Sequence, residues 1–330
     1  MSIVADRTAL ERALIALVLV LVATIVWQAA TRDREVEAAT RRDCPEAERQ
    51  IVVHSPRQPV EFEIDFFGLR YTGNSRGILD RHVMLYGAWE KPLLFFLRDV
   101  AAALGEAELS FVDVGANTGQ HSLFMSQHAA EVHAIEPWDR ALERLYEHIE
   151  LNDIDNIITH MVGLGAADEE LEFFEPPEGN LGIGSFVEGF SEANRPSHRK
   201  LKIVTGDSLV ESGRIPRIDL MKIDVESYEK PVLAGLRASL ERDRPVVVVE
   251  ITHKDHLDVT FKSTAEIRAA FPDGYLLFGF AAVRGELING AYRLVPYRFE
   301  GSKQPNEDVV AVPREAIVGL GLQAKGLVAP

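Results

Sequence analysis

The nine residues Phe111-Val-Asp-Val-Gly-Ala-Asn-Thr-Gly119 restrict the fold more than any other feature of the chain. Phe111–Val114 is a short apolar run broken by one carboxylate, it ends in a glycine turn, and Gln120–His128 then carries helical spacing. Such a strand, turn and helix form half of a βαβ unit, and the pattern recurs. Val132–Ile135 is a second strand, Trp138–Leu151 a helix with apolar residues at 138, 141/142, 145/146 and 149, and Ile157–Val162 a third strand. Leu171–Phe174 is a short strand in a glycine-rich insert reaching to about residue 200. Leu201–Val204, Ile218–Ile223 and the near-continuous apolar Val246–Ile251 follow, with a helix expected over Glu229–Leu240. Parallel strands need crossover connections, so this alternation predicts an α/β fold with a mostly parallel, doubly wound sheet. Tyr275–Phe280 and Leu294–Phe299 read as a closing antiparallel pair.

The N-terminus poses a separate constraint. Ala13–Ala30 reads ALIALVLVLVATIVWQAA between Arg12 and Arg32, without a charge. At about 1.5 Å per helical residue it would span roughly 27 Å, close to a bilayer's hydrocarbon thickness. A cleaved signal peptide is the competing reading, but Asp6, Arg7, Glu11 and Arg12 cancel where a net positive charge is expected. One transmembrane helix is therefore expected to precede the α/β body. Arg32, Arg34, Arg41 and Arg42 after the span outnumber Arg7 and Arg12 before it, which places the body on the cytoplasmic side of a single-pass protein. The expected organisation is a flank (1–12), the anchor (13–30), a Pro-punctuated juxtamembrane linker (31–60), an N-terminal extension of the catalytic domain (61–108), the catalytic domain (109–312) and a C-terminal tail (313–330).

Charge narrows the partners. The net charge of −16 falls wholly on residues 44–330, because acidic and basic side chains balance in residues 1–43. A body that acidic, without a basic stripe, repels phosphate backbones, so no nucleic-acid partner is expected. A lone cysteine, Cys44, excludes an intramolecular disulfide, and no His/Asp/Glu spacing stands out as a metal site.

Ligands of open α/β sheets bind beyond the C-terminal strand ends, where the Gly115–Gly119 turn lies. Gly115 and Gly119 are expected to let the turn tighten and a ligand approach. Glu136, before Pro137 at the end of the second strand, is placed to hold a ribose diol. A dinucleotide site would show G-x-G-x-x-G, but Asn117 stands where its second glycine belongs. Asp113 opposes a pyrophosphate and suits a ligand with an ammonium and a sulfonium, which S-adenosylmethionine carries. Met221-Lys-Ile-Asp-Val-Glu226 ends another strand and sends Lys222, Asp224 and Glu226 toward one side if the backbone stays extended. Ionisable residues there are costly unless paired or functional; a helix N-terminus is their other reading, for Glu226 and Glu229 above all.

Taken together these residues resemble the FkbM family of S-adenosylmethionine-dependent methyltransferases. The resemblance runs over about residues 109–252, through Asp113-Val-Gly-Ala-Asn-Thr-Gly119, Ile135-Glu-Pro137, Glu150-Leu-Asn152, Asp219-Leu-Met-Lys-Ile-Asp-Val-Glu226, Arg244-Pro245 and Val249-Glu-Ile251. Ser227 stands where the family more often has glycine, His148 where an Asn is common, and Gly206 where a Leu is common. The resemblance implies a class I, Rossmann-like methyltransferase fold and, most often, O-methylation of a sugar or natural-product hydroxyl.

The expected roles follow. Asp113, Gly115, Asn117 and Gly119 hold the methionine portion of S-adenosylmethionine, and Glu136 its ribose. Asp207, in Gly206-Asp-Ser-Leu, is read as a further cofactor contact, with a plain helix cap as its other reading. Asp224 is the first choice as base or acceptor-positioning group, with Lys222 and Glu226 beside it. His121 and His253 read as surface residues. An anchored enzyme suits a small-molecule or glycan acceptor, including a lipid-linked one. An NAD(P)-dependent oxidoreductase and a non-catalytic membrane-tethered binding protein are the alternatives.

Overall fold

The computed structural model describes residues 58–177, 179–254, 257–300, 302 and 304–321, which fall in one compact unit. Its strands are β1 (Glu61–Phe66), β2 (Leu69–Asn74), β3 (Ser110–Val114), β4 (Glu131–Ile135), β5 (Ile157–His160), β6 (Gly163–Leu164), β7 (Glu169–Glu175), β8 (Arg195–Val204), β9 (Leu220–Ile223), β10 (Val246–Thr252), β11 (Tyr275–Phe280), β12 (Leu294–Pro296) and β13 (Asn306–Pro313). Eight form the central sheet, in the order β12-β11-β13-β10-β9-β3-β4-β5. β5, β4, β3, β9 and β10 run parallel, β13 is antiparallel to β10 and β11, and β12 is antiparallel to β11. The mostly parallel sheet expected from the alternation is present, as is the Rossmann-like arrangement that the resemblance implies.

Strand alternation sorts the core onto two faces. Val112, Val114, Met221, Ile223, Val247 and Val249 pack on one. Phe111, Val132, Leu220, Val246 and Val248 pack on the other. Each fully buried Val, Ile or Leu contributes about 1.5–3 kcal/mol, so both faces must be covered for the sheet to persist. The hairpin β1–β2 and the helices Ile78–Tyr86 and Lys91–Leu104 cover the second face, with Phe66, Tyr71, Leu94 and Leu97 essentially unexposed. The hairpin is tied to the helix Asp139–Leu151: Tyr71 stacks on His148 at 4.5 Å, and Asn152 accepts from the Arg70 amide at 2.7 Å while donating to its carbonyl at 2.9 Å.

Several expected elements take different bounds. The Glu229–Leu240 helix is two, Glu229–Ala234 and Arg237–Asp243, because the Gly235 carbonyl turns aside to accept from the Asp207 amide at 2.9 Å. The insert after β5 is a three-stranded sheet, β6-β8-β7, with β8 much longer than the expected 201–204. β12 pairs with β11 as expected, but β13 lies on the other side of β11 and separates it from β10. The tail is partly packed, with Ile317 buried against the second face. Among the described residues no helix is long and apolar enough to cross a membrane, and the anchor expected at 13–30 lies outside them.

Candidate active site

A cleft of about 420 Å³ opens at the C-terminal ends of β3, β4 and β9. There the chain order reverses, since β4 and β5 follow β3 on one side and β9 and β10 lie on the other. Residues 180–184 and Phe186 of the insert line it opposite the glycine turn.

The turn is built from backbone. The amides of Gly115 and Ala116 donate to the Ile135 carbonyl at 2.9 and 3.0 Å. Gly115 has φ +81, and a Cβ there would stand 1.8 Å from the Asp224 carbonyl oxygen; at Gly119, φ +87, it would stand 2.3 Å from Leu145 Cδ1. The glycines thus make room for the protein itself rather than for a ligand, and Gly119 is not in the cleft wall. Asn117 occupies the left-handed region at φ 51, which Asn tolerates better than most residues.

Glu136 is buried and lines the cleft. Its Oε2 accepts from the Asn117 amide at 3.0 Å and its Oε1 from the Trp138 amide at 2.9 Å. Burial pushes its carboxyl up to about 7, against the pull of those two amides. Each oxygen keeps a lone pair for a ligand hydroxyl.

Asp113 departs from expectation. It lies beneath the turn, 1 % exposed, and its Oδ2 accepts from Ser122 Oγ at 2.7 Å. It anchors the helix Gln120–Met125 and does not line the cleft, because the β3 pleat turns it inward. Asp207 is a second correction. Its carboxylate accepts from the Ala238 and Ser239 amides at 3.0 and 2.7 Å and from Ser239 Oγ at 2.6 Å, capping the helix Arg237–Asp243 outside the cleft.

Lys222, Asp224 and Glu226 do converge on the cleft. Lys222 is 3 % exposed and its Nζ donates to Asp224 Oδ2 at 2.8 Å. Desolvation works against its charge, yet the Asp224, Glu90 and Asp113 carboxylates outweigh it and raise the ammonium's pKa. Past Asp224 the backbone leaves the strand, with Glu226 at φ 54 and Ser227 at φ 80. Glu229 pins that turn, its Oε1 accepting from the Val225 and Ser227 amides at 3.3 and 3.0 Å. Ser185 Oγ ties the insert to it by donating to the Glu226 carbonyl at 2.8 Å. Burial first, then the neighbouring Asp224 and Glu229, push the Glu226 carboxyl well up.

Sequence reasoning missed Glu90. It precedes the helix Lys91–Leu104 at φ 47 and lines the cleft. Its Oε2 lies 3.4 Å from Nε2 of His121, which also lines the cleft and is buried rather than on the surface. A carboxylate two residues before Pro92 at a helix start was the only available signal. His253 sits outside the cleft wall, paired with Glu307 at 2.8 Å and stacked on Phe299. Among the described residues no group of three or more His, Cys, Asp or Glu is arranged to hold a metal ion.

The model of the FkbM methyltransferase domain matches residues 113–277, half of the chain, from the carboxylate under the glycine turn to β11. The chain belongs to the FkbM methyltransferase family. A hexuronic acid methyltransferase of Haloferax volcanii is 30% identical over 206 residues, 62% of this chain and 79% of that protein. Methyltransferase 1 of Beauveria bassiana is 26% identical over 144 residues, 38% of this chain and 57% of that protein. A crystal structure of an FkbM methyltransferase from Methylobacillus flagellatus is 15% identical with a TM-score of 0.40, covering 62% of this chain and 44% of that one. The enzyme is therefore a methyltransferase whose methyl donor is S-adenosylmethionine, which removes the oxidoreductase and the non-catalytic reading. The matched segment contains the turn, Glu136, Asp224 and Glu226, and leaves Glu90 outside.

Proposed function

We propose that this enzyme methylates a hydroxyl of a sugar or glycan, with Asp224 at the reacting end of the cleft and the chain held at a membrane face by residues 13–30. The observation that carries the reading is the Lys222–Asp224 pair at the end of β9, open to the same cleft as Glu136. The residues fit the donor: Glu136 is preset by two amides, and buried polar atoms in the cleft wall, Asn117 Oδ1, Thr118 Oγ1 and Trp138 Nε1, lack protein partners. Bound S-adenosylmethionine would supply an electrophilic methyl on sulfur. In this reading Glu136 accepts from the ribose hydroxyls, and Asn117 and the Gly115 turn hold the rest of the donor. Asp113 and Asp207 act at a distance, by holding helices in place. Asp224 accepts the proton of the acceptor hydroxyl, Lys222 fixes its orientation, and Glu226 helps align the acceptor.

The sugar acceptor draws support from the Haloferax relative, named for its action on hexuronic acid. The membrane part rests on the uncharged run from Ala13 to Ala30 and on the arginines after it, which favour a cytoplasmic body and suit a lipid-linked acceptor. Calorimetric titration of the full chain in detergent with S-adenosylmethionine tests the donor site. Glu136→Ala should weaken binding at least tenfold, and unchanged affinity would remove Glu136 from it. Removal of residues 13–30 should release the enzyme from membranes and lower methylation of its cellular acceptor; equal methylation by the released enzyme would count against the anchor's role.

A further inference from the structure

We infer that Glu90 holds the α-ammonium of the methyl donor, the role that the sequence suggested for Asp113. The inference rests on the reading in which Glu136 takes the donor's ribose, and it supplies a partner for the other end. Asp113 is buried beneath the turn and is not part of the cleft wall, so the ammonium needs another carboxylate. β3 lies between β4 and β9. A donor whose ribose meets Glu136 and whose methionine arm crosses the Gly115 turn therefore points toward the end of β9. Glu90 belongs to that region: the helix Lys91–Leu104 that follows it packs on β9, and the Glu90 and Lys222 charges act on each other. Trp89 fastens it to the helix after the turn, its amide donating to Gln120 Oε1 at 2.6 Å and its carbonyl accepting from Gln120 Nε2 at 3.1 Å.

Charge selects Glu90 among its neighbours. Among the described residues five carboxyl groups line the cleft, those of Glu90, Glu136, Asp224, Glu226 and Glu250. Burial above all pushes Glu136, Glu226 and Glu250 up, which makes them poor partners for a cation. Asp224 is already paired with the Lys222 ammonium at 2.8 Å. Glu90 is held down instead: burial works against its charge, but His121, Lys222 and Trp89 outweigh it. Its side chain is 22% exposed, and its Oε2 stands 3.4 Å from His121 Nε2. A carboxylate has about four lone-pair sites, so that contact leaves Glu90 open to a charge-assisted bond from an ammonium. Lys222 meanwhile serves three carboxylates, Asp224, Glu90 and Asp113, so a second cation beside Glu90 completes the balance.

The test is calorimetric titration of the full chain in detergent with two ligands, S-adenosylhomocysteine and its analogue with hydrogen in place of the α-amino group. Wild type should bind the analogue at least tenfold more weakly. Glu90→Gln should weaken S-adenosylhomocysteine at least tenfold and the analogue less than threefold, and the retained analogue affinity shows that the variant is folded. Glu250→Gln, at a carboxyl that burial pushes up, should change neither affinity by more than threefold. Equal affinities of wild type for the two ligands overturn the inference. So does a Glu90→Gln loss shared by both ligands, or a tenfold loss of S-adenosylhomocysteine alone in Glu250→Gln. Glu136→Ala should weaken both ligands alike, so a failure of the ribose reading is read from that variant and a failure at Glu90 from the analogue.

Discussion

Lys222 and Asp224, two residues apart at the end of β9, meet at 2.8 Å with the ammonium buried and the carboxylate at the cleft wall. Removing one partner of such a pair leaves the other uncompensated, at a cost of about 3–5 kcal/mol for a fully buried pair and less here because Asp224 is 23% exposed. Asp224→Asn and Lys222→Met should each destabilise the chain in urea, and the double variant should cost less than the sum of the two. Asp224→Asn should also lower kcat by about 10²-fold or more if Asp224 accepts the hydroxyl proton. A kcat within threefold of wild type would move the base elsewhere.

Gly115 directly follows β3 and packs against the backbone that leaves β9. A Cβ would meet the Asp224 carbonyl at 1.8 Å, and the backbone holds φ +81. Gly115→Ala therefore combines overpacking of about 1–3 kcal/mol with left-handed strain of about 1–2 kcal/mol. Gly189 has a comparable φ of +75 but open space around its Cβ, so Gly189→Ala isolates the backbone strain. Thermal unfolding of both should show the larger loss at Gly115, and equal losses would contradict the close approach.

These two contacts mark how far the sequence could be read. The turn, Glu136 and Lys222-x-Asp224 were legible because each follows a strand whose apolar run is local, and the parallel sheet places strand ends together whatever the connections do. Asp113 was misplaced because alternation along β3 puts it on the face of Phe111, opposite Val112 and Val114, where Ser122 Oγ meets it. Asp207 looked like a pocket residue until the Ala238 and Ser239 amides, some thirty residues on, claimed it. β13 escaped because Asn306-Glu-Asp308 opens it with polar residues, leaving a run of only four apolar positions before Pro313. Glu90 reaches the cleft through tertiary packing of the helix Lys91–Leu104 alone, which no local pattern reports.

Ser227 holds a glycine conformation. At φ 80 it is left-handed, fully buried, and its Oγ has no hydrogen-bond partner. The left-handed region costs an L-residue about 1–2 kcal/mol, and a buried unpaired hydroxyl adds about 1–3 kcal/mol. Glycine relieves both but gives back about 0.5–1 kcal/mol in chain entropy. Ser227→Gly should raise stability by about 1 kcal/mol or more, seen as a Tm higher by a few degrees. A lower Tm would mean that the hydroxyl has a role in this turn that offsets the strain.

Glu229 gives the chain a pH dependence with a definite sign. It is 2 % exposed, and burial pushes its carboxyl up to about 7 from 4.5. Below the unfolded value both states are protonated and its contribution is fully present. Between about 4.5 and 7 the unfolded chain ionises while the folded one holds its proton, so stability falls as pH rises and levels off above 7. Both amides that Glu229 accepts from, Val225 and Ser227, use the same oxygen, Oε1. A glutamine can keep both bonds through its carbonyl oxygen and has no proton to lose. Glu229→Gln should therefore nearly match wild type at pH 4.5 and exceed it by about 3 kcal/mol at pH 8, with one pKa unit worth about 1.4 kcal/mol. Urea unfolding of the two proteins across that range is the check. A difference that does not grow with pH would mean that Glu229 ionises in the folded chain as readily as in the unfolded one.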